Sequence, residues 1–228
     1  MSDSPIQYQL DGSIAILRFD DGKANTFSPD SLAALNAALD RAEKDEARCI
    51  LWSGRPGRFS AGFDLSFMRE PGRALLELVA SGARMALRVH DSAIPVVLAV
   101  TGHALAMGAI TLMAADRRIG VEGNFKIGLN EVAIGMTLPD FGVEFARARL
   151  ALPHQSRSVV NAEIYDPVGA VEAGYLDRVV AAEDLEAVAL AEAQAMAALD
   201  PTAFAATKKA LRGEASERIL AAIERIGV

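Results

Sequence analysis

Short apolar runs alternate with helical patterns along the first part of the chain. Residues 13–19 (SIAILRF) and 48–52 (RCILW) are apolar and flanked by polar residues, which is typical of β-strands. Between them, Ser28, Pro29 and Asp30 predict the start of a helix, because serine caps helices and proline fits their first position. The order strand, helix, strand indicates a crossover unit of an α/β fold.

The same alternation continues toward the C-terminus. The pattern predicts a helical region over 64–69, a helix over 73–90, a strand over 95–100, a helix over 107–115 and extended segments at 117–121 and near Phe125. From Phe141 onward helical patterns dominate. Alanine, leucine and glutamate make up most of residues 184–199, which predicts a helical layer at the C-terminal end.

Residues 94–115 carry no formal charge and are long enough to cross a membrane. Pro95, Gly102 and Gly108 interrupt this stretch, so a buried strand, a tight turn and a buried helix explain it better. The N-terminus lacks the basic and apolar regions of a secretory signal. We therefore expect a soluble protein without membrane contact.

The composition limits the classes of partner. The chain has 228 residues, of which 51% are hydrophobic, so it can bury a sizeable core in one domain with or without a helical appendage. Its net charge is −7, and its basic residues are scattered among acids, which argues against a nucleic-acid partner. The single cysteine, Cys49, lies in an apolar run and predicts a buried strand thiol in a reducing, cytoplasmic setting.

The candidate chemistry centres on one carboxylate. Residues 125–139 (FKIGLNEVAIGMTLP) place Glu131 in an almost uncharged segment. Upstream lie two small-residue turns, at 59–65 (FSAGFDL) and 101–108 (TGHALAMG), of a kind that aims backbone N–H groups at a ligand. A desolvated carboxylate facing such donors indicates proton transfer next to a carbonyl that becomes an enolate. This pattern predicts an enzyme.

Six motifs in order resemble the crotonase superfamily, the enoyl-CoA hydratase/isomerase family, over nearly the whole chain. The matching segments are 23–25 (KAN) before the Ser28 helix, 59–65, 100–108 with Asp116, 130–139, 170–180 (AVEAGYLDRVV) and 201–211 (PTAFAATKKAL).

The resemblance implies an α/β fold: a crotonase-like spiral of ββα repeats with two roughly perpendicular sheets and a C-terminal helical layer. The implied division is a spiral core over 1–195 and a C-terminal helical trimerisation segment over 196–228. A homotrimer or dimer of trimers and an acyl-CoA thioester substrate are also implied. Coenzyme A is then part of the substrate, and no separate cofactor or metal is expected, since the three histidines show no metal-ligand spacing.

The resemblance also assigns the site. The backbone N–H groups of Phe63 and Met107 would form the oxyanion hole, and Glu131 would be the catalytic residue. The remaining expected acyl-CoA contacts are Lys23, Ala24, Ser60, Ala61, Gly62, Asp64, Ile110 and Lys208, the last toward the phosphates.

The family's hydratases use two glutamates, and here the first of these positions is Ile110 while the second is Glu131. Hydration needs paired carboxylates to hold a water, whereas moving a double bond from C3 to C2 needs one base. The chain therefore resembles the single-glutamate Δ3,Δ2-enoyl-CoA isomerases. A hydratase with a non-standard second acid (Asp64, Asp140 or Glu144) and a catalytically silent acyl-CoA binder remain as alternatives. His103 is interpreted as a turn histidine that bonds backbone.

Overall fold

The computed structural model describes residues 4–68 and 72–228. The C-terminal end of the helical region expected over 64–69 therefore lies outside the described residues. The strands are β1 (Ile6–Asp11), β2 (Ile14–Phe19), β3 (Thr26–Phe27), β4 (Cys49–Ser53), β5 (Gly57–Ser60), β6 (Gly62–Phe63), β7 (Val96–Val100), β8 (Gly102–Leu105), β9 (Arg117–Val121), β10 (Ile127–Gly128) and β11 (Arg178–Val180). The helices are α1 (Pro29–Lys44), α2 (Leu65–Met68), α3 (Arg73–Asp91), α4 (Met107–Ala114), α5 (Asp140–Arg149), α6 (Leu152–Val159), α7 (Pro167–Ala173), α8 (Leu185–Ala197) and α9 (Pro201–Glu224), with short 3-10 turns at Val132–Ile134 and Ala182–Asp184.

Strong local signals gave correct elements. Ser28 caps α1: its side chain accepts the N–H of Ser31, whose own hydroxyl accepts the Ser28 N–H. Pro29 stands in the first turn, and α1 ends before Asp45. The predicted strands at 13–19 and 48–52 form β2 and β4, which pair in parallel on either side of α1 in the chain, as a crossover unit requires.

The main sheet has six strands in the order β1-β2-β4-β7-β9-β11. Only β1 runs antiparallel, pairing with β2 at one edge of the sheet. Its sequence, IQYQLD, buries Ile6 alone, so the strand lacked a recognisable apolar run and was not predicted.

Two smaller sheets carry the segments read from the sequence as small-residue turns. One sheet has the order β10-β8-β5 and the other pairs β3 with β6. Residues 102–105 and 57–63 are therefore largely extended strands rather than turns, because β8 pairs in parallel with both β5 and β10.

The uncharged stretch 94–115 is buried inside the protein as expected. β7 is buried along its full length in the middle of the main sheet, and α4 is buried on all sides. Within the described ranges, no helix combines the length and apolar character that a membrane crossing needs. Cys49 is fully buried in β4, and burial raises the pKa of its thiol to about 12.

The C-terminal end of the chain is helical, as expected. α8 covers one face of the main sheet, and α9 packs against α3 and α5 on the other side of the molecule. Residue 196, the predicted boundary, falls inside the last turn of α8, and the division of the chain there stays a prediction. The role of α9 in trimerisation stays a prediction.

Candidate active site

Glu131 lies just beyond β10, at the start of the 3-10 turn Val132–Ile134. Its side chain is only 7% exposed, although the segment that follows is at the surface, with Val132 46% and Ile134 56% exposed. The apolar residues that follow Glu131 therefore do not account for its burial, because two of them are exposed.

One of the two carboxyl oxygens of Glu131 has no hydrogen-bond partner among the described residues. This oxygen is Oε2, and it is buried. Burial raises the pKa of Glu131, and the residue's own backbone N–H offsets this rise only in part. A carboxyl in this state is a stronger base once ionised, which suits it to removing a proton from carbon.

The second sheet brings Glu131 to the start of α4. β10 pairs in parallel with β8, and the Ala106 N–H donates to the Gly128 carbonyl at 3.1 Å. Met107 follows Ala106 directly, and Glu131 follows Gly128 by three residues. Met107 and Glu131 therefore both lie just beyond the C-terminal ends of two neighbouring parallel strands.

The N-terminus of α4 supplies free amide donors. The first helical bond runs from the Ile110 N–H to the Ala106 carbonyl at 3.0 Å, so the N–H of Met107 has no acceptor within the helix. Ala106 holds a positive φ of 51°, which costs an alanine on the order of 1–3 kcal/mol. The strained residue turns the chain from β8 into α4 and presents this amide.

Gly62 lets the second predicted donor approach the first. Gly62 has a φ of 93°, and a Cβ placed on it would lie 2.9 Å from the Ala106 Cβ and 3.3 Å from the Met107 nitrogen. The peptide that ends in the Phe63 N–H therefore lies beside the start of α4. Ser60 supports this approach, because its hydroxyl accepts the Gly62 N–H at 3.1 Å.

The Lys23–Ala24 segment borders the same region. The Ala61 N–H donates to the Ala24 carbonyl at 3.1 Å, and Arg55 binds the Lys23 carbonyl at 3.0 Å. Lys23 is exposed. Of the residues expected to contact acyl-CoA, the structure thus brings Lys23, Ala24, Ser60, Ala61 and Gly62 together.

Ile110, which the resemblance aligns with the first glutamate of the hydratases, is 1% exposed and lies one turn into α4. A Cβ on Gly142 would lie 3.2 Å from the Ile110 Cδ1 and 3.0 Å from the Leu138 Cδ1. The position is therefore an apolar contact between α4 and the start of α5.

The three alternative acids have other partners. Asp64 Oδ1 accepts the Ser66 N–H at 2.8 Å, which makes it a cap for α2. Asp140 pairs with Arg225 at 2.9 Å. Glu144 pairs with Arg147 and also with Arg218. Each carboxylate is thus already engaged in a contact that does not include Glu131.

Lys208 is placed apart from the other predicted residues. It is buried, and its Nζ lies 2.8 Å from an Asp116 oxygen, while Arg212 binds the other oxygen of that carboxylate at 2.9 Å. Asp116 follows the C-terminal end of α4, so an eight-residue helix, about 12 Å long, separates Lys208 from the Met107 amide. Within one chain the Lys208 ammonium therefore forms an ion pair with Asp116.

His103 bonds to the backbone, as its interpretation from the sequence predicted. Its Nδ1 accepts the Lys126 N–H at 2.9 Å, and burial, followed by the charges of Arg58 and Lys126, lowers its pKa. Among residues 4–68 and 72–228, no group of three or more histidine, cysteine or acidic side chains is arranged to hold a metal.

Two residues near the site were quoted only as parts of motifs. Asn25 is fully buried with a positive φ, and its amide donates to the Phe19 carbonyl at 2.7 Å and the Phe59 carbonyl at 3.3 Å, which ties the 20–25 loop to β5. Tyr175 is fully buried as well. Their place in the motifs was the available signal for both.

Solved structures of similar sequence share the fold. A protein from Pseudomonas syringae described as an enoyl-CoA hydratase/isomerase family protein is 45% identical, with a TM-score of 0.95 over 97% of this chain and 96% of that one. An enoyl-CoA isomerase from Mycobacterium tuberculosis is 35% identical, with a TM-score of 0.94 over 98% and 97% of the two chains. Another structure of that mycobacterial protein is named a probable enoyl-CoA hydratase.

Curated sequences point the same way. The human protein named enoyl-CoA delta isomerase 1, mitochondrial, is 28% identical over 218 residues, which cover 91% of this chain and 70% of the human protein. The match to the rat protein of the same name covers 62% of that protein's length. Residues 9–225 match the model of the family described as enoyl-CoA hydratase/isomerase.

Proposed function

Since the chain belongs to the enoyl-CoA hydratase/isomerase family and is an enzyme of that kind, we propose that it shifts the double bond of a 3-enoyl-CoA to the 2-position. One observation supports this proposal above the others: a single buried carboxyl, Glu131, stands beside the α4 N-terminus, and Ile110 fills the position of a second acid.

In the proposed reaction the thioester oxygen accepts the N–H groups of Phe63 and Met107. Glu131 removes a proton from C2, the electron pair moves into the dienolate, and the same carboxyl returns the proton to C4. The two amides stabilise the charge on the oxygen, and the positive end of α4 adds to this. Ile110 excludes the water that hydration would consume. No metal or separate cofactor takes part, and coenzyme A enters with the substrate.

The acyl-CoA would lie across the Lys23–Ala24 and Ser60–Gly62 segments, whose backbones meet in the structure. Phosphate contact by Lys208 would require it to leave Asp116 or to act on a neighbouring subunit of a homotrimer. The Asp64 carboxylate would border the site while it caps α2.

One assay tests the proposed reaction. Purified protein is given a 3-enoyl-CoA and, separately, a 2-enoyl-CoA, and the absorbance of the conjugated thioester is followed. Growth of absorbance from the first substrate is the expected result. Loss of absorbance from the second substrate alone would instead indicate a hydratase, and binding without change in either would indicate a silent acyl-CoA binder.

The pH dependence of turnover should reflect the ionisation of the Glu131 carboxyl. The base acts when ionised, and burial raises its pKa, so kcat/KM is expected to fall as the pH drops through a value above the ordinary glutamate range of about 4.3. The measurement is kcat/KM for a 3-enoyl-CoA between pH 4 and 9. A profile that stays flat down to the ordinary range would contradict an ionised, buried base.

Restoring a second carboxylate should change the reaction. Ile110→Glu is expected to raise the ratio of hydration to isomerisation at least tenfold, because paired carboxylates can hold the attacking water. Ile110→Gln is the matched control. The glutamine side chain has nearly the same shape as the glutamate of Ile110→Glu but carries no charge, so this variant should show no gain in hydration. Both rates and the melting temperatures are measured, and a folded Ile110→Glu protein with no gain in hydration would contradict this interpretation of Ile110.

A further inference from the structure

Helix α3 carries a glycine at a buried position in its interior. Gly82 lies in the middle of Arg73–Asp91 and is buried. Glycine destabilises a helix interior relative to alanine, because its backbone has more conformational freedom to lose. Alanine occupies the nearby buried positions Ala80, Ala83 and Ala86. An alanine would therefore suit position 82 as well, unless another group fills the space that its methyl group needs.

That space is filled by the side chains of the two residues whose amides the proposed function assigns to the oxyanion hole. A Cβ on Gly82 would lie 2.5 Å from Cε1 and 2.6 Å from Cζ of the Phe63 ring, and 3.7 Å from the Met107 Cε. Carbon atoms in contact are about 3.5–4.0 Å apart, so the edge of the Phe63 ring already occupies this space. The Met107 methyl group lies at an ordinary contact distance from it. Both side chains thus meet at one residue of α3.

The backbone alone holds the Phe63 peptide by few contacts. β6 pairs with β3 over only two residues, and the Asp64 N–H donates to the Phe27 carbonyl at 3.0 Å. Successive N–H groups of a strand point in opposite directions, so the Phe63 N–H points away from β3. Packing of the Phe63 ring against α3 therefore adds a contact that limits the movement of this amide. The Met107 side chain, 1% exposed, gives the first residue of α4 the same contact.

We propose that Gly82 is a positioning residue for the oxyanion hole. Because it has no side chain, α3 approaches closely enough for the Phe63 ring and the Met107 methyl group to pack at the same place, and this packing fixes the spacing of the two amides. The inference rests on the proposed function, in which those amides bind the thioester oxygen. It gives α3, which contributes neither amide, an effect on the rate of the reaction.

Gly82→Ala tests the proposal by adding one methyl group. The Phe63 ring must move to admit it, and a displaced donor binds the transition state less well, so kcat for 3-enoyl-CoA isomerisation is expected to fall by about tenfold or more. KM should change by less than about threefold, because the lost contact is strongest in the transition state. An unchanged kcat in the folded variant would overturn the proposal.

Gly213→Ala is the matched control. Gly213 also lies inside a helix, α9, but a Cβ there would meet nothing within 4 Å. Both substitutions favour the helical conformation by a similar amount, yet Gly213→Ala should keep kcat within about twofold of the parent value. Similar losses of kcat in the two variants would show that a stiffer helix, and not a displaced ring, explains the effect, and would contradict the proposal.

A compensating substitution tests whether the Phe63 ring is the group that must move. Leucine lacks the ring atoms Cε1 and Cζ, so Phe63→Leu added to Gly82→Ala should raise kcat above that of Gly82→Ala alone. In the parent protein, Phe63→Leu should lower kcat, because it removes the contact with α3. The two substitutions are then strongly non-additive. Losses that simply add in the double variant would contradict the proposal.

The infrared band of a bound thioester carbonyl separates this inference from the proposed function. The probe is hexanoyl-CoA labelled with ¹³C at the thioester carbon, a saturated compound that cannot isomerise. In the parent protein, hydrogen bonds from the two amides should lower the carbonyl frequency relative to the free probe, and Gly82→Ala should reverse part of that shift.

The outcomes of the infrared measurement point to different failures. No shift in the parent protein would overturn the proposed oxyanion hole itself. An equal shift in the parent and in Gly82→Ala would overturn the role of Gly82 and leave the oxyanion hole in place. If Gly82→Ala does not fold, Phe63→Leu in the parent protein carries the same test. It should reduce the shift, and an undiminished shift would overturn the proposal.

Discussion

Glu131→Gln is expected to lower kcat for 3-enoyl-CoA isomerisation by about 10²- to 10⁴-fold, the range that a positioned general base contributes. The amide has nearly the same shape but cannot take the C2 proton, so acyl-CoA affinity should stay within a few-fold of the parent value. The measurements are single-turnover rates and the Kd for a non-reactive acyl-CoA. Loss of binding along with turnover would point to a structural role.

Stability gives an internal check on the same variant. Because the pKa of Glu131 is raised in the folded state, ionising this buried carboxyl costs stability above that raised pKa. Glu131→Gln should therefore melt at a higher temperature than the parent near pH 8, and the gain should shrink as the pH falls through the raised pKa. Glu144→Gln is the matched control: it removes a carboxylate paired with Arg147 and Arg218 and should leave isomerisation within about threefold.

Gly62→Ala is expected to lower kcat by about 10²- to 10³-fold, as the loss of one oxyanion donor does. The new methyl group would meet the Ala106 Cβ and the Met107 nitrogen at 2.9 and 3.3 Å, so β6 and the start of α4, which hold the two donors, must move apart. The effect should fall on kcat more than on KM, because the lost contact is strongest in the enolate-like transition state.

Gly57→Ala provides the control for backbone strain. Gly57 has a φ of 81°, close to that of Gly62, but a Cβ there would meet nothing within 4 Å. Both variants should lose stability by about 1 kcal/mol or more from the positive φ, yet only Gly62→Ala should lose catalysis. Equal kinetic losses in the two variants would show that strain, and not the spacing of the donors, explains the effect.

Features with local causes could be predicted from the sequence. The Ser28 cap, the α1 helix and the strand at 95–100 have signals within a few residues, and they were correct. The pairing of β8 with β10 was missed, because it joins segments more than twenty residues apart and has no local signature. Its result is a strand over residues 102–105 where a turn was predicted, and this pairing brings Met107 toward Glu131.

Long-range partners also limited the interpretation of single residues. Lys208 had the sequence context of a surface lysine, but it is buried against Asp116, which lies 92 residues away in the chain. Glu131 was correctly expected to be buried, although its apolar neighbours at Val132 and Ile134 are exposed. In each case the decisive contact came from tertiary structure, which hydropathy along the chain does not encode.

The most direct measurement follows one isotope through the reaction. A 3-enoyl-CoA carrying deuterium at C2 is converted by the enzyme in ordinary water, and the position of the label in the 2-enoyl product is determined by NMR. A solitary carboxyl, shielded from solvent, should carry deuterium from C2 to C4 in a substantial share of turnovers. A product in which the hydrogen added at C4 always comes from solvent would contradict proton shuttling by Glu131. A hydrated product in place of the 2-enoyl-CoA would contradict it as well.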